Sequence, residues 1–245
     1  MKRHLVLLLL LPFLVIPTYA STNNTVFNKS FVLGLDIGAA QIDQVQSVTF
    51  PLGYSTFSYV PQKVPSFTRY GISLSHKFIF NSLNNILMGL NYHQFSSTNI
   101  EGTLEQGIFP PYYNAKYQYS LRSSQLLAEI KAQHQWHQLF YPYLTAGIGW
   151  GFNAAKQFKT DVPDYLTVTP IYSDNSNSAL SYSLGLGVDF LLSTKVAVGV
   201  GYLFSDLGQA GLGTGTIRNR VLPNYLNQSH LYTNTVLAQL SWYIN

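Results

Sequence analysis

From about residue 30 onward the chain alternates apolar and polar positions in steps of two, the period of a β-strand with two unlike faces. Leu33, Leu35, Ile37 and Ala39 alternate with Gly34, Asp36, Gly38 and Ala40, and Tyr70, Ile72, Leu74, His76 and Phe78 with Arg69, Gly71, Ser73, Ser75 and Lys77. Further runs follow at Ile86–Tyr92, Leu144–Phe152, Tyr182–Phe190, Val196–Phe204 and Val236–Ile244. Several last about ten residues, whereas ordinary strands average roughly 5–6. Ten tilted residues are the length a membrane-crossing strand requires. A further strand is irregular: Tyr117, Tyr119 and Leu121 share one parity, but Leu126, Ala128 and Ile130 take the other. A bulge near Ser123-Ser124 is expected to reconcile them, because one extra residue reverses the facing pattern.

Eight strands result, and their connections alternate in length. Long links fall near residues 43–66, 99–114, 156–177 and 207–228, with short turns near 81–82, 134–138 and 193–194. The expected fold is all-β, an eight-stranded antiparallel up-and-down barrel with long loops at one end. The first twenty residues follow a different rule. Lys2 and Arg3 precede the apolar stretch Leu5–Leu11, which resumes at Phe13–Ile16 and gives way to Pro17-Thr18-Tyr19-Ala20. This is the layout of a secretory signal peptide. Cleavage is expected after Ala20, leaving residues 21–245 as one barrel with no second domain. Removing Lys2 and Arg3 lowers the formal net charge of +4 by two, so the basic pI overstates the mature chain and nucleic-acid binding has no support.

Composition decides which face of the strands points outward. Only 10% of the residues are charged, against 47% hydrophobic, and the mean hydropathy is +0.08. An ordinary soluble domain carries roughly 25% charged residues. Within the strands, the apolar face is free of Asp, Glu, Lys and Arg, and the opposite face is Gly, Ser, Thr and Asn with a few ions. That second face is a poor exterior for a soluble barrel but a workable lining for a narrow one. A Lys or Arg on a lipid face at mid-depth costs about 2–4 kcal/mol. The barrel is therefore expected to cross a membrane, with its long loops outside and both termini on the periplasmic side. Asp36, Arg69, Lys77, Arg122, Glu129 and Asp189 are expected to point inward as a luminal charge network. Buried charges must be paired, so the network is expected to close the barrel; a gate for a narrow pore is the alternative.

Pro142-Tyr143-Leu144-Thr145-Ala146-Gly147-Ile148-Gly149, Leu184-Gly185-Leu186-Gly187-Val188-Asp189 and Val198-Gly199-Val200-Gly201-Tyr202 carry a resemblance. The chain resembles the small eight-stranded outer-membrane proteins, meaning the OmpA-type transmembrane domain and its opacity-protein relatives. The likeness extends by architecture over the mature chain. It implies residence in the outer membrane of a Gram-negative-type envelope and contact with outer-membrane lipid and the outer-membrane assembly machinery. Relatives usually end in an aromatic residue that the machinery reads, whereas this chain ends Trp242-Tyr243-Ile244-Asn245.

Catalytic and cofactor chemistry finds little footing. There is no Cys, which removes disulfides, thiolate metal sites and thiol catalysis. His93 and Ser96 form a nearby nucleophile–base pair without an orienting acid, so a lipid-modifying enzyme is disfavoured. His134 and His137 have HxxH spacing but no neighbouring carboxylate, and Asp161, Asp164 and Asp174 match no calcium-loop spacing. Gly208–Thr216 lacks the ending of a phosphate-binding loop and reads as a flexible loop. No cofactor, metal or catalytic residue is expected. The functional potential falls to the four long loops, where Tyr54, Phe57, Tyr59, Tyr112, Tyr113 and Tyr172 are candidate aromatic anchors for an extracellular host or matrix partner. A structural and surface-interaction role, adhesion-like, is the expected function.

Overall fold

A computed structural model describes residues 30–43, 45–52, 55–62, 66–107, 114–162, 169–223 and 226–244. The expected signal peptide, Tyr54, Tyr112, Tyr113 and Asp164 lie outside the described residues. Eight strands form a closed antiparallel ring: β1 (Ser30–Ile42), β4 (Ser66–Ile79), β5 (Asn84–Phe95), β7 (Asn114–His134), β8 (Phe140–Asp161), β10 (Asn175–Leu191), β11 (Val196–Asp206) and β16 (Tyr232–Ile244). The first strand closes against the last, with Leu35 opposite Leu240, and β7 joins β8, with Leu126 opposite Trp150. Closure removes sheet edges, which a bilayer demands because it offers no partner for a free N–H or C=O.

The even positions of β7, β8, β10 and β16 and the odd positions of β1 form the outer face. Leu35, Leu74, Leu90, Ile130, Ile148, Leu184, Val200 and Leu240 stand exposed around the cylinder. From Leu180 to Phe190 this apolar face rises about 25 Å at a strand tilt of roughly 40°, the height of a bilayer's hydrocarbon band. Aromatic rings border it: Tyr92, Trp150 and Tyr202 toward the long-loop end, Phe31, Phe190 and Trp242 toward the turns. His76, the one ionisable side chain expected on this face, packs edge-on against Phe31 at 5.3 Å and beside Phe78 at 4.6 Å.

The long connections fold further. β2 (Val48–Leu52), β3 (Ser55–Pro61) and β6 (Thr98–Gln106) extend the sheet from the upper half of β7 in the order β2-β3-β6-β7. β9 (Ile171–Tyr172), β13 (Gly215–Ile217) and β14 (Arg220–Leu222) form a small three-stranded sheet, and β12 (Ala210–Gly211) pairs with β15 (Asn227–Gln228). Together with the upper ends of the ring strands they enclose an apolar core that includes Ile42, Phe50, Phe57, Tyr59, Phe95, Leu104, Tyr117, Leu121, Leu207, Leu212 and Leu231. The Gly208–Thr216 segment, expected to be a flexible loop, is thus part of this cap, and Leu212 within it is fully buried.

The expected bulge at Ser123-Ser124 is absent. β7 keeps one parity throughout, with Tyr117, Tyr119, Leu121, Ser123, Gln125, Leu127, Lys131 and Gln133 all buried. What changes along it is the surroundings. Inside the cap the inward face meets other apolar side chains; inside the membrane-spanning cylinder it meets polar groups. The register irregularity lies on β8 instead, where Gln118 faces Lys159 but Ser120 faces Lys156. The extra residue is Gln157, at φ 58°, and its N–H donates to Asp174 Oδ1 at 2.8 Å. It restores Phe158 to the inward face, against the cap core.

Candidate functional site

The middle of the cylinder is filled by charge pairs drawn from most of the ring. Arg69 on β4 reaches Asp36 on β1 at 2.8 Å, and His93 on β5 lies 3.9 Å from the same carboxylate. Lys131 on β7 reaches Asp189 on β10 at 2.6 Å, donates to Gln239 on β16 at 3.1 Å and sits over the Tyr143 ring of β8 at 3.8 Å. Gln133 donates to the same Asp189 oxygen, Oδ2, at 2.6 Å. Above them Gln125 donates to Ser181, whose hydroxyl donates in turn to the Asp206 carbonyl. Alternation puts each of these side chains inward, and the small residues beside them leave room. A Cβ on Gly71 would meet the Asp36 carboxylate, and one on Gly187 would meet the Tyr143 hydroxyl. The inward glycines therefore seat neighbouring groups. The space left between Asp36, Arg69, Asn91, Glu129, Lys131 and Thr145 is a cavity of about 30 Å³, room for about two waters.

Five of the six charges expected inside stand there. Asp36, Arg69 and Asp189 belong to the pairs just described, and Glu129 lines the cavity beside Lys131. Lys77 lies toward the turn end, 5.1 Å from the centre of the Tyr243 ring. Arg122 does not join them: it is exposed on the outer surface of β7. With the bulge on β8 rather than β7, even positions of β7 point outward along its whole length. Lys131 was missed by sequence reasoning. The signal was available, since it shares the parity of Glu129, but its place close to a turn disguised it.

The aromatic anchors also differ from expectation. Phe57, Tyr59 and Tyr172 are buried within the cap. Tyr59 meets Tyr117 edge-on at 5.1 Å and Tyr172 at 5.9 Å, and stacks on Phe50 at 6.1 Å. They hold the cap together and present no surface to a partner. Burial pushes the Tyr117 phenol up to about 12, and raises Tyr59 and Tyr119 as well, helped by the neighbouring phenols.

The remaining candidates do not assemble. His93 is buried in the cylinder, 3.4 Å from Gln125, while Ser96 Oγ accepts the Thr68 N–H. His134 pairs with Asn84 at 2.8 Å. Among the described residues no three His, Asp or Glu side chains gather as a metal site. A side-chain contact that the sequence did not announce sits at the rim. His230 Nδ1 meets the buried Asp206 at 2.6 Å, and Gly208 N–H donates to the other carboxylate oxygen at 2.8 Å. With mutual backbone bonds linking Leu207 to Leu231 and Leu231 to Gly208, it clamps the base of the last long connection over the mouth.

An apolar band at membrane height, a closed ring of eight strands, a polar interior filled by charge pairs and long connections at one end define an integral outer-membrane barrel. The chain belongs to the outer membrane protein beta-barrel domain family, which matches residues 6–242. Among solved structures it is similar to Neisserial surface protein A, at 12% identity and TM-score 0.44 over 86% of this chain and 96% of that one. It is similar to OprG of Pseudomonas aeruginosa, at 12% identity and TM-score 0.47 over 87% and 97%. It is also similar to the outer membrane protease OmpT of Escherichia coli, at 10% identity and TM-score 0.46 over 91% and 99%. No curated protein matches the chain.

Proposed function

We propose that this protein is a closed barrel that holds a folded β-rich head at the cell surface, with a structural and adhesion-like role toward a host or matrix partner. The observation that supports this is the apolar core shared by the long connections and the upper ends of β1, β5, β7 and β8. A core of that kind fixes the shape of the head, as a binding surface requires, and at the same time stoppers the mouth. The partner-facing groups are then the polar outer positions of β2, β3 and β6, such as Thr49, Ser58 and Glu101, rather than the aromatic residues.

The test is adhesion of cells displaying the protein. Removing the β2–β3 hairpin, which lies outside the ring, should leave outer-membrane assembly and heat-modifiable gel migration intact while abolishing adhesion. Equal adhesion by the trimmed and full-length proteins would sink the role. The pore reading predicts conductance steps altered by changes at Lys77 or Asp189, and the charge-filled interior disfavours it. We also infer export through a signal peptide removed after Ala20, with assembly through the outer-membrane machinery. The mature protein should then begin at Ser21 on N-terminal sequencing.

A further inference from the structure

The segment that leaves the top of β11 turns inward and crosses the upper ends of β10 and β8 as a strap. A Cβ on Gly208 would meet the Ala179 side chain and the Leu180 carbonyl of β10, and one on Gly151 of β8 would meet the Leu207 carbonyl. The Asn153 side chain, buried on the inner face of β8, donates to the carbonyls of Leu207 and Gln209 at 2.8 and 2.9 Å. Leu207 is fully buried in the cap core. The strap therefore covers two strand spacings, about 10 Å of the mouth, and Asn153 pins it from within.

The outer pin is of another kind. Asp206 shares the outward parity of Val200 and Tyr202, yet it is buried, between Tyr182 on β10 and Tyr232 on β16. One carboxylate oxygen accepts the Gly208 N–H at 2.8 Å, and His230 Nδ1 lies 2.6 Å from the other. Among the described residues no Lys or Arg forms an ion pair with it. A buried charge without a counter-charge is costly, so this carboxylate is compensated only while His230 carries a proton. The neutral ring offers it a hydrogen bond; the imidazolium offers the same bond with a charge behind it, roughly twice as strong. His230 is half-exposed, so its proton exchanges with water. Three other ionisable groups surround it: Tyr232, whose ring lies parallel at 5.5 Å, Tyr182 on the far side of Asp206, and Asp43, whose N–H donates to the Tyr232 carbonyl. Phenols stay neutral through the range in which imidazoles change charge. Asp43 is exposed, with the Asn234 amide 3.4 Å from its carboxylate.

We propose that the Asp206–His230 contact is an acid-strengthened latch, which holds the strap more firmly across the mouth as the outside medium acidifies. The closed strap gains from the proton on His230. An open strap, with Asp206 in water, does not. Closure is therefore favoured as pH falls and relaxes as pH rises through the range in which imidazoles titrate, about 5 to 8. The experiment is amide hydrogen exchange on the full-length mature protein in phosphatidylcholine nanodiscs, expressed as protection factors so that the intrinsic effect of pH on exchange cancels. It reads the N–H groups of Leu207 and Leu231, which donate to the carbonyls of Leu231 and Gly208. Between about pH 8 and about pH 5 their protection should rise about five- to tenfold, the difference between a neutral and a charge-assisted bond. In H230Q the rise should vanish, while heat-modifiable migration shows that the ring still folds. D43N should keep it. A rise retained in H230Q overturns the latch, as does flat or falling protection in the wild type. An equal rise at the ring amides of Leu186 and Val200 overturns it too, because the effect then belongs to the whole barrel. Loss of the rise in D43N overturns the assignment to Asp206.

Discussion

Lys131 is held on three sides, by the Asp189 carboxylate, by the Gln239 amide oxygen and by the face of Tyr143. Removing one partner of a buried pair costs about 3–5 kcal/mol, because the other charge stays behind, whereas replacing both by apolar groups is often neutral. Lys131→Met should therefore lower unfolding stability in detergent by about that amount. Combining it with Asp189→Leu should recover most of the loss, as read from urea titrations followed by gel shift. The cap tyrosines make a second prediction at this scale. A phenol whose folded pKa is raised above its ordinary value near 10 contributes stability that is complete below that value and disappears as pH rises through the folded one. For Tyr117, at about 12, with Tyr59 and Tyr119 shifted the same way, the window opens above ordinary tyrosine ionisation. Tyrosinate absorbance should show a late-titrating group of residues, and cap protection from protease should fall as it titrates. Early, uniform titration would show that the phenols are not buried.

At the scale of elements, β7 and β8 show how a legible signal came to be misassigned. The change of apolar parity between Leu121 and Leu126 is plain in the sequence, and a bulge is its simplest local explanation. The physical cause is a change of medium. The strand passes from a head with an apolar inside to a lipid-embedded cylinder with an apolar outside, while its backbone runs on without interruption. Position in sequence carries no record of where the membrane ends, so the two causes look alike until the neighbours are known. Arg122 was placed inside by the same misassignment. The true bulge, at Gln157, is marked only by its positive φ and by the inward return of Phe158. Deleting Gln157 should turn Phe158 outward and Lys159 inward, so the upper part of β8 should become sensitive to limited proteolysis while the membrane-embedded ring still migrates as a heat-modifiable species. Unchanged protection would show that the bulge does not set the facing of this segment.

At the scale of the molecule, the cylinder was readable because its pattern is local: alternation along each strand, and short turns between long links. The cap was not. Phe50, Phe57, Tyr59 and Tyr172 come from separate segments rich in Ser, Thr, Asn and Gly, and only their meeting across the chain makes a core of them. The luminal pairs lie between these cases. Parity announced their direction, but which acid meets which base depends on closure of the ring. A cylinder so filled and so capped should be silent in planar bilayers, and steady conductance from the wild-type protein would contradict the packing.

The inversion of polarity along β7 has a consequence for alignment. A slide of one residue against β5 and β8 would turn Glu129 and Lys131 toward hydrocarbon at about 2–4 kcal/mol for the lysine alone. The same slide would put Tyr117, Tyr119 and Leu121 into water. In a barrel with a uniform lining, only one of these penalties would arise. Here a single displacement is punished at both levels, so the strand acts as a pin holding the shear of the whole ring at one value.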